Sequence, residues 1–269
     1  EARPPCKIAA YLTGLPCQIV TAPGSFCDMW PRETPLDKIH RSVGEMALGA
    51  PVAIRVSPRA RRLSLRVDAT ARGVELVLPR RFAADAAIGF VARHRGWIAA
   101  RVAAIPPPLR LADGAVVPVF GVPHRIRQIA ERGAAPVTIV DGEIRVRGEP
   151  AHLPRRILDH LKALARHEFG GRARLRAAQL GKSVTRVSVR DPKSRWGSCS
   201  STGALSFSWR LVFAPQEVID YVVAHEVAHL VEMNHGPRFW RVVAGLVPDS
   251  AGPRAWLKRH RNELFSYGA

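Results

Sequence analysis

His225-Glu226-Val227-Ala228-His229, continued by Leu230-Val231-Glu232-Met233-Asn234-His235, is the stretch around which the rest of the chain is read. On a helix, residues four apart share one face about one turn apart, so the imidazoles of His225 and His229 can hold a single divalent metal. Glu226 follows the first histidine and points toward the same cavity without having to ligate. A zinc hydrolase needs this pattern: imidazoles hold Zn2+ and the carboxylate takes a proton from the activated water. His235, six residues past His229, can complete the ligand set once the helix turns away. Glu232, three residues after His229 on the same helical stripe, is the rival. A residue beyond the helix end can swing to the far side of a tetrahedral metal, which favours His235. Glu232 is then left solvated, or orients a histidine from behind. The expected nitrogen-to-zinc distance is about 2.0–2.1 Å.

Working outward, Pro215 with Glu217 just after it marks the start of this helix, and Asn234 to Pro237 its end. Two short helices are expected after it, around Arg238 to Val247 and Pro253 to Phe265. Upstream, Ala204 to Val212 alternates as a strand, Val184 to Val189 as a shorter one, and Leu153 to about Leu180 has the apolar period of a long basic helix. Gly170-Gly171 is a candidate kink in that helix. Further back, Val52 to Val56, Leu63 to Val67 and Val74 to Leu78 read as strands, and residues 84 to 105 as one helix ended by Pro106-Pro107-Pro108. Val116 to Phe120, Arg125 to Ile129, Val137 to Val140 and Ile144 to Val146 form a second group of strands, the last after an Asp141-Gly142 turn. The fold class is therefore α+β. A mostly antiparallel β module with one helix spans 49–149, and a helical domain with a small sheet spans 150–269. Residues 1–48 are rich in Pro, Gly and Cys and show no period. They read as a disordered or extraneous extension, with the natural domain starting near Met46.

The chain has 269 residues, enough for one large domain or two modest ones with a buried core. Lys and Arg total 41 against 22 Asp and Glu, for a net charge of +19. Such a balance favours anionic partners, including nucleic acid. Most of the excess is arginine in a chain rich in Ala, Gly and Pro, which a GC-rich genome also produces. Neither a zinc ribbon, a helix-turn-helix nor an aromatic RNA-binding motif accompanies the charge. Nucleic acid is thus a permitted partner and not the favoured one. No window reaches the roughly 18 apolar residues of a membrane span, so no membrane partner is expected. Three of four cysteines (Cys6, Cys17, Cys27) lie near the start without CxxC spacing, and Cys199 stands alone. That usage fits a reducing cytoplasm.

The runs Asp191-Pro192-Lys193-Ser194-Arg195-Trp196-Gly197-Ser198-Cys199-Ser200-Ser201, Trp209-Arg210-Leu211-Val212, His225 to His229, and His235-Gly236-Pro237-Arg238-Phe239-Trp240 together resemble the YgjP-like metallopeptidase family. The likeness covers roughly residues 50–265 and extends to the strands and helix between Arg55 and Ile105. That family is related to the WLM and SprT-like zinc proteases. The resemblance implies a zincin-type peptidase acting on protein or peptide substrates. It maps the zinc ligands onto His225, His229 and His235 and the general base onto Glu226. It also implies that the strand at 204–212 pairs with extended substrate, with Ser206, Ser208 and the upstream Arg195 as substrate contacts. Arg195 can serve there as an oxyanion stabiliser, or can pair with Asp191. Trp196, Trp209 and Cys199 suit burial better than chemistry. Phe239-Trp240 is expected to hold the turn that carries His235. The competing reading is a nucleic-acid-associated protein whose metal site is secondary.

Overall fold

Thr34 opens the first helix with a capping box: its hydroxyl accepts from the Asp37 amide, and the Asp37 carboxylate accepts from the Thr34 amide, both at 3.1 Å. The computed structural model describes residues 33–68, 71–130, 135–192 and 195–268. Helix α1 (Pro35–Gly44) buries Ile39 and Val43. The sequence placed this segment in an irregular extension. It is instead part of a core, and only residues 1–32 of that extension lie outside the described residues. Its short length and polar majority hid a two-residue apolar stripe.

Strands β1 (Val52–Ser57), β2 (Ser64–Asp68) and β3 (Gly73–Pro79) form a sheet in the order β1-β3-β2, with β1 parallel and β2 antiparallel to β3. The central strand buries Val74, Leu76 and Leu78. Two helices cover the sheet, α2 (Ala84–Arg93) and α3 (Arg95–Ala103), where one was expected. The break falls at His94, whose ψ of 8° leaves the helical region and whose Nδ1 bonds the Phe90 carbonyl at 2.8 Å. Ile39, Leu76, Val91 and Ile98 meet in this first core.

A second core gathers everything from Leu111 onward. Strands β4 (Val116–Val119), β5 (Val122–Ile129), β6 (Val137–Val140) and β7 (Glu143–Arg147) are ordered β4-β5-β7-β6, with β5 and β7 parallel. Phe120 and Gly121 both have positive φ, 53° and 81°, as a type I′ hairpin turn requires. A Cβ on Gly121 would lie 2.8 Å from the Pro215 backbone, so this turn abuts the start of the histidine-bearing helix. Helix α4 (Leu153–Gln179) runs through the Gly170-Gly171 pair as one continuous helix and buries Ile157, Leu161, Ala165 and Phe169 beneath the sheet. The second sheet shares its core with α4, and the two cores part near residues 105–111.

The third sheet is β8 (Arg186–Arg190), β9 (Gly197–Cys199) and β10 (Ala204–Ser208), in the order β8-β10-β9. Each sheet is mixed, and the α+β class holds. Past β10 the chain does not continue as a strand to Val212. It turns into a 3-10 segment, Trp209–Phe213, with all five residues buried. Helices α5 (Gln216–Ala228), α6 (Pro237–Leu246), α7 (Ala251–Arg259) and α8 (Arg261–Ser266) complete the molecule. No helix among the described residues is long and apolar enough to cross a membrane.

Candidate metal centre

Helix α5 is held from two sides before it presents any chemistry. Val218, Ile219, Val223 and Val227 bury its inner face, while Arg172 of α4 donates to Asp220 at 2.7 Å and to Gln216 at 2.6 Å. The helix ends one residue earlier than its motif does. His229 is its C-cap, still in the right-handed region, and Leu230 and Val231 close tight turns onto Val227 and Ala228. The chain then doubles back, and His235 meets the helix it has just left.

Three imidazoles converge as a result. Candidate ligand atoms of His225, His229 and His235 all lie within 4.8 Å of one another, the one such group among the described residues. The Nε2 atoms of His225 and His235 face each other at 3.1 Å. Two nitrogens sharing a tetrahedral zinc at about 2.05 Å would stand about 3.3 Å apart, so this spacing fits a common cation. Nδ1 of His229 bonds the backbone carbonyl of Glu232 at 3.1 Å, which leaves its Nε2 for the metal. Glu232 thus orients the His229 ring through its main chain, and its carboxylate is not in the cluster. Phe239 is fully buried among the three rings, with centroids at 4.9, 4.6 and 4.7 Å from His225, His229 and His235. Trp240 adds contacts to His225 and His235.

Burial, then the neighbouring His229, His235 and Arg254, push His225 down to about 4. Burial also lowers His229, opposed by its bond to the Glu232 carbonyl. Desolvation thus favours the neutral imidazole at both positions, the form that binds metal. Nδ1 of His225 is buried with no hydrogen-bond partner among the described residues. Glu226, only 7% exposed, is pushed up to about 7 by burial, against the pull of Arg195. Its carboxyl rests on Gly197, where a Cβ would come within 2.5 Å of both Cγ and Oε1. Gly197 is therefore small so that the Glu226 carboxylate can lie against β9.

Strand β10 lies between β8 and β9, with both edges paired, so it cannot add a substrate strand. That corrects the role expected for 204–212. Ser206 is flanked by Ser188 and Ser198, and Ser208 is fully buried, so neither sits at an open edge. The edge strands of this sheet are β8 and β9, and β9 is the one beside Glu226. Ser200 donates to Ala204 and Ser208 to Trp196, and opposed pairs in an antiparallel ladder alternate between bonded and unbonded. By that alternation Ser198 bonds β10, and the amides and carbonyls of Gly197 and Cys199 face outward. The sequence concealed this because three residues carry too little alternation to read as a strand.

Arg195 does reach the site, but Asp191 is not its partner. Asp191 takes Nε of Arg210 at 2.9 Å and Nη2 at 3.2 Å. Arg210, 1% exposed, also donates to the carbonyls of Leu264, Phe265 and Tyr267, and so ties the loop before β9 to the end of the chain. A lone arginine inside the apolar run Trp209 to Phe213 was the available signal. Trp196 is half-buried and stacks on Phe265 at 5.1 Å, while Trp209 is core. His94, His124 and His260 each bond a nearby carbonyl or carboxylate.

Two clefts meet at Gly197, His225 and Glu226. One, of about 320 Å³, runs along β9 past His229, Met233 and His235; the other, of about 380 Å³, opens toward Tyr221 and Arg254. A larger cavity, about 1030 Å³ between Arg147, Arg156 and His160, shares no residue with them. The family model of the YgjP-like metallopeptidase domain matches residues 61–260, a span that contains both clefts and all three histidines. The chain belongs to that family. No curated protein and no solved structure matches it. Membership makes this YgjP-like chain a metallopeptidase-family protein and implies a metal, and the three histidines are the described residues with a donor set that fits one.

Proposed function

We propose that this YgjP-like protein is a zinc-dependent peptidase in which His225, His229 and His235 hold the metal and Glu226 is the general base. The observation that carries the reading is the meeting of three imidazoles with one buried carboxyl along a single cleft. A structural zinc would not need that carboxyl and would usually close its shell with a fourth protein ligand. When bound, zinc supplies Lewis-acid activation of water and of the scissile carbonyl. Glu226 accepts the proton of the attacking water and passes it to the departing amine. Burial raises this carboxyl above the ordinary range in the metal-free protein, and zinc beside it would draw it back toward the anion that accepts the proton. Gly197 holds that carboxyl in place by leaving space for it. The outward amides and carbonyls of Gly197 and Cys199 would pair with the main chain of a protein or peptide substrate, giving sequence-tolerant recognition. Arg195 would contact the substrate beside Glu226. Cys199 is a free thiol, which suits a reducing cytoplasm.

Digestion of a peptide library tests this reading by metal dependence. Cleavage should vanish on chelation and return on addition of zinc alone. Cleavage that persists after metal analysis shows the protein empty would contradict it.

A further inference from the structure

The cleft of about 380 Å³ on the Tyr221 side carries charge that neither the metal site nor the general base uses. Its volume falls at the small end of the range for ligand pockets, about 300–1,000 Å³. Two arginines converge on it from different elements, Arg195 from the loop before β9 and Arg254 from α7. Glu226 is the one carboxylate in its lining. Among the described residues neither arginine is held in an ion pair by a carboxylate. Arg254 is nevertheless positioned. Its guanidinium lies over the Trp240 ring at 5.0 Å, and Trp240 in turn contacts His225 and His235. A planar fork held on an aromatic face keeps its donors free for a carboxylate. The floor is Tyr221 and Val222, on the turn of α5 before His225.

We infer that this cleft is a specificity pocket for a carboxylate on the residue flanking the scissile bond, with Arg254 as its main recognising side chain and Arg195 as the second. The carboxylate is that of an Asp or Glu side chain or of the substrate's C-terminus. The inference rests on the peptidase reading of the metal centre. It follows from location: a group bound here lies beside Glu226 and His225, within one residue of the bond being cut. Charge-assisted bonds from an arginine fork are stronger than neutral ones, so a Glu should be preferred over the isosteric Gln. The overall charge of +19 would also draw acidic peptides toward the protein.

The test separates binding from cleavage. Zinc-loaded Glu226→Gln protein is titrated with acetylated, amidated tetrapeptides that differ only by Glu or Gln at one scanned position, followed by tryptophan fluorescence. A second set compares free with amidated C-termini, which tells a side-chain carboxylate from a terminal one. The inference predicts that at one position, or at the free terminus, the carboxylate binds roughly tenfold tighter. Arg254→Ala should erase that preference and Arg254→Glu should turn it toward Lys, with zinc content and helical signal checked in each variant. Equal binding of Glu and Gln peptides and of free and amidated termini would overturn it, as would a preference that survives Arg254→Ala combined with Arg195→Ala. Cleavage by the unsubstituted protein is scored separately. Discrimination without any cleavage would count against the peptidase reading and leave only the carboxylate preference of the cleft, without its place beside a scissile bond.

Discussion

At the scale of the residue, His235 and Glu226 carry the account. His235 was legible because a histidine six residues after a helical pair has only a turn to cross. What favours it over Glu232 is that its ring joins the cluster with His225 and His229 while the Glu232 carboxylate does not; that residue's carbonyl bonds His229 Nδ1 instead. His235→Ala should lose most bound zinc, while Glu232→Ala should keep it, since alanine retains the carbonyl. The opposite ranking by metal analysis would refute the ligand set. Glu226 yields a second prediction, for the metal-free protein. Its folded pKa of about 7 stands above the ordinary 4.5, so between those values the folded chain holds a proton that the unfolded chain has lost. The carboxyl therefore costs stability that grows as pH rises from about 4.5 and is complete above about 7. Glutamine has no such cost. Metal-free Glu226→Gln should be more stable than metal-free wild type above pH 7, by up to roughly 3 kcal/mol, with the advantage fading toward pH 4.5. Urea unfolding across that window checks it, and an advantage independent of pH would contradict the burial of Glu226. Arg210 and Gly197 were not legible as site residues. Their roles depend on what lies across the fold from them, the chain terminus for one and Glu226 for the other.

At the scale of the element, long periodic segments could be read and short ones could not. Helix α4 stands where its apolar period placed it, because 27 residues repeat the signal many times. Helix α1 buries two residues and β9 has only three, so neither rises above its surroundings. The strand expected to reach Val212 stops at Ser208 because the next five residues, four of them apolar and the fifth Arg210, are all buried and enter the core as a 3-10 segment. This shift moves the proposed substrate edge from β10 to β9 and makes it testable. N-methylation of the substrate amide that bonds a β9 carbonyl should raise KM about tenfold, the loss of one hydrogen bond of roughly 1–1.5 kcal/mol, with kcat less affected. Unchanged KM at every methylated position near the scissile bond would exclude main-chain pairing along β9.

At the scale of the whole molecule, the division into two cores and the net charge set what else the chain can do. The class was legible from the succession of strand and helix patterns. Composition does not reveal that the second sheet packs on α4 and leaves the first sheet with α1 to α3. The charge of +19 is spread over both parts. If it is compositional, nucleic-acid binding should be weak and gone by roughly 0.2 M salt, and peptide cleavage should not respond to added DNA. A salt titration of DNA binding run beside the cleavage assay decides this. DNA-stimulated cleavage with a steep salt slope would instead promote the nucleic-acid-associated reading.

The central claim, a three-histidine zinc site served by Glu226, is tested most directly by measuring zinc content and peptide cleavage on wild type and Glu226→Gln side by side. Both proteins should hold one zinc per chain, and the variant should lose roughly 10²–10⁴-fold in rate, the usual contribution of a general base. Near-normal turnover by zinc-loaded Glu226→Gln would contradict it.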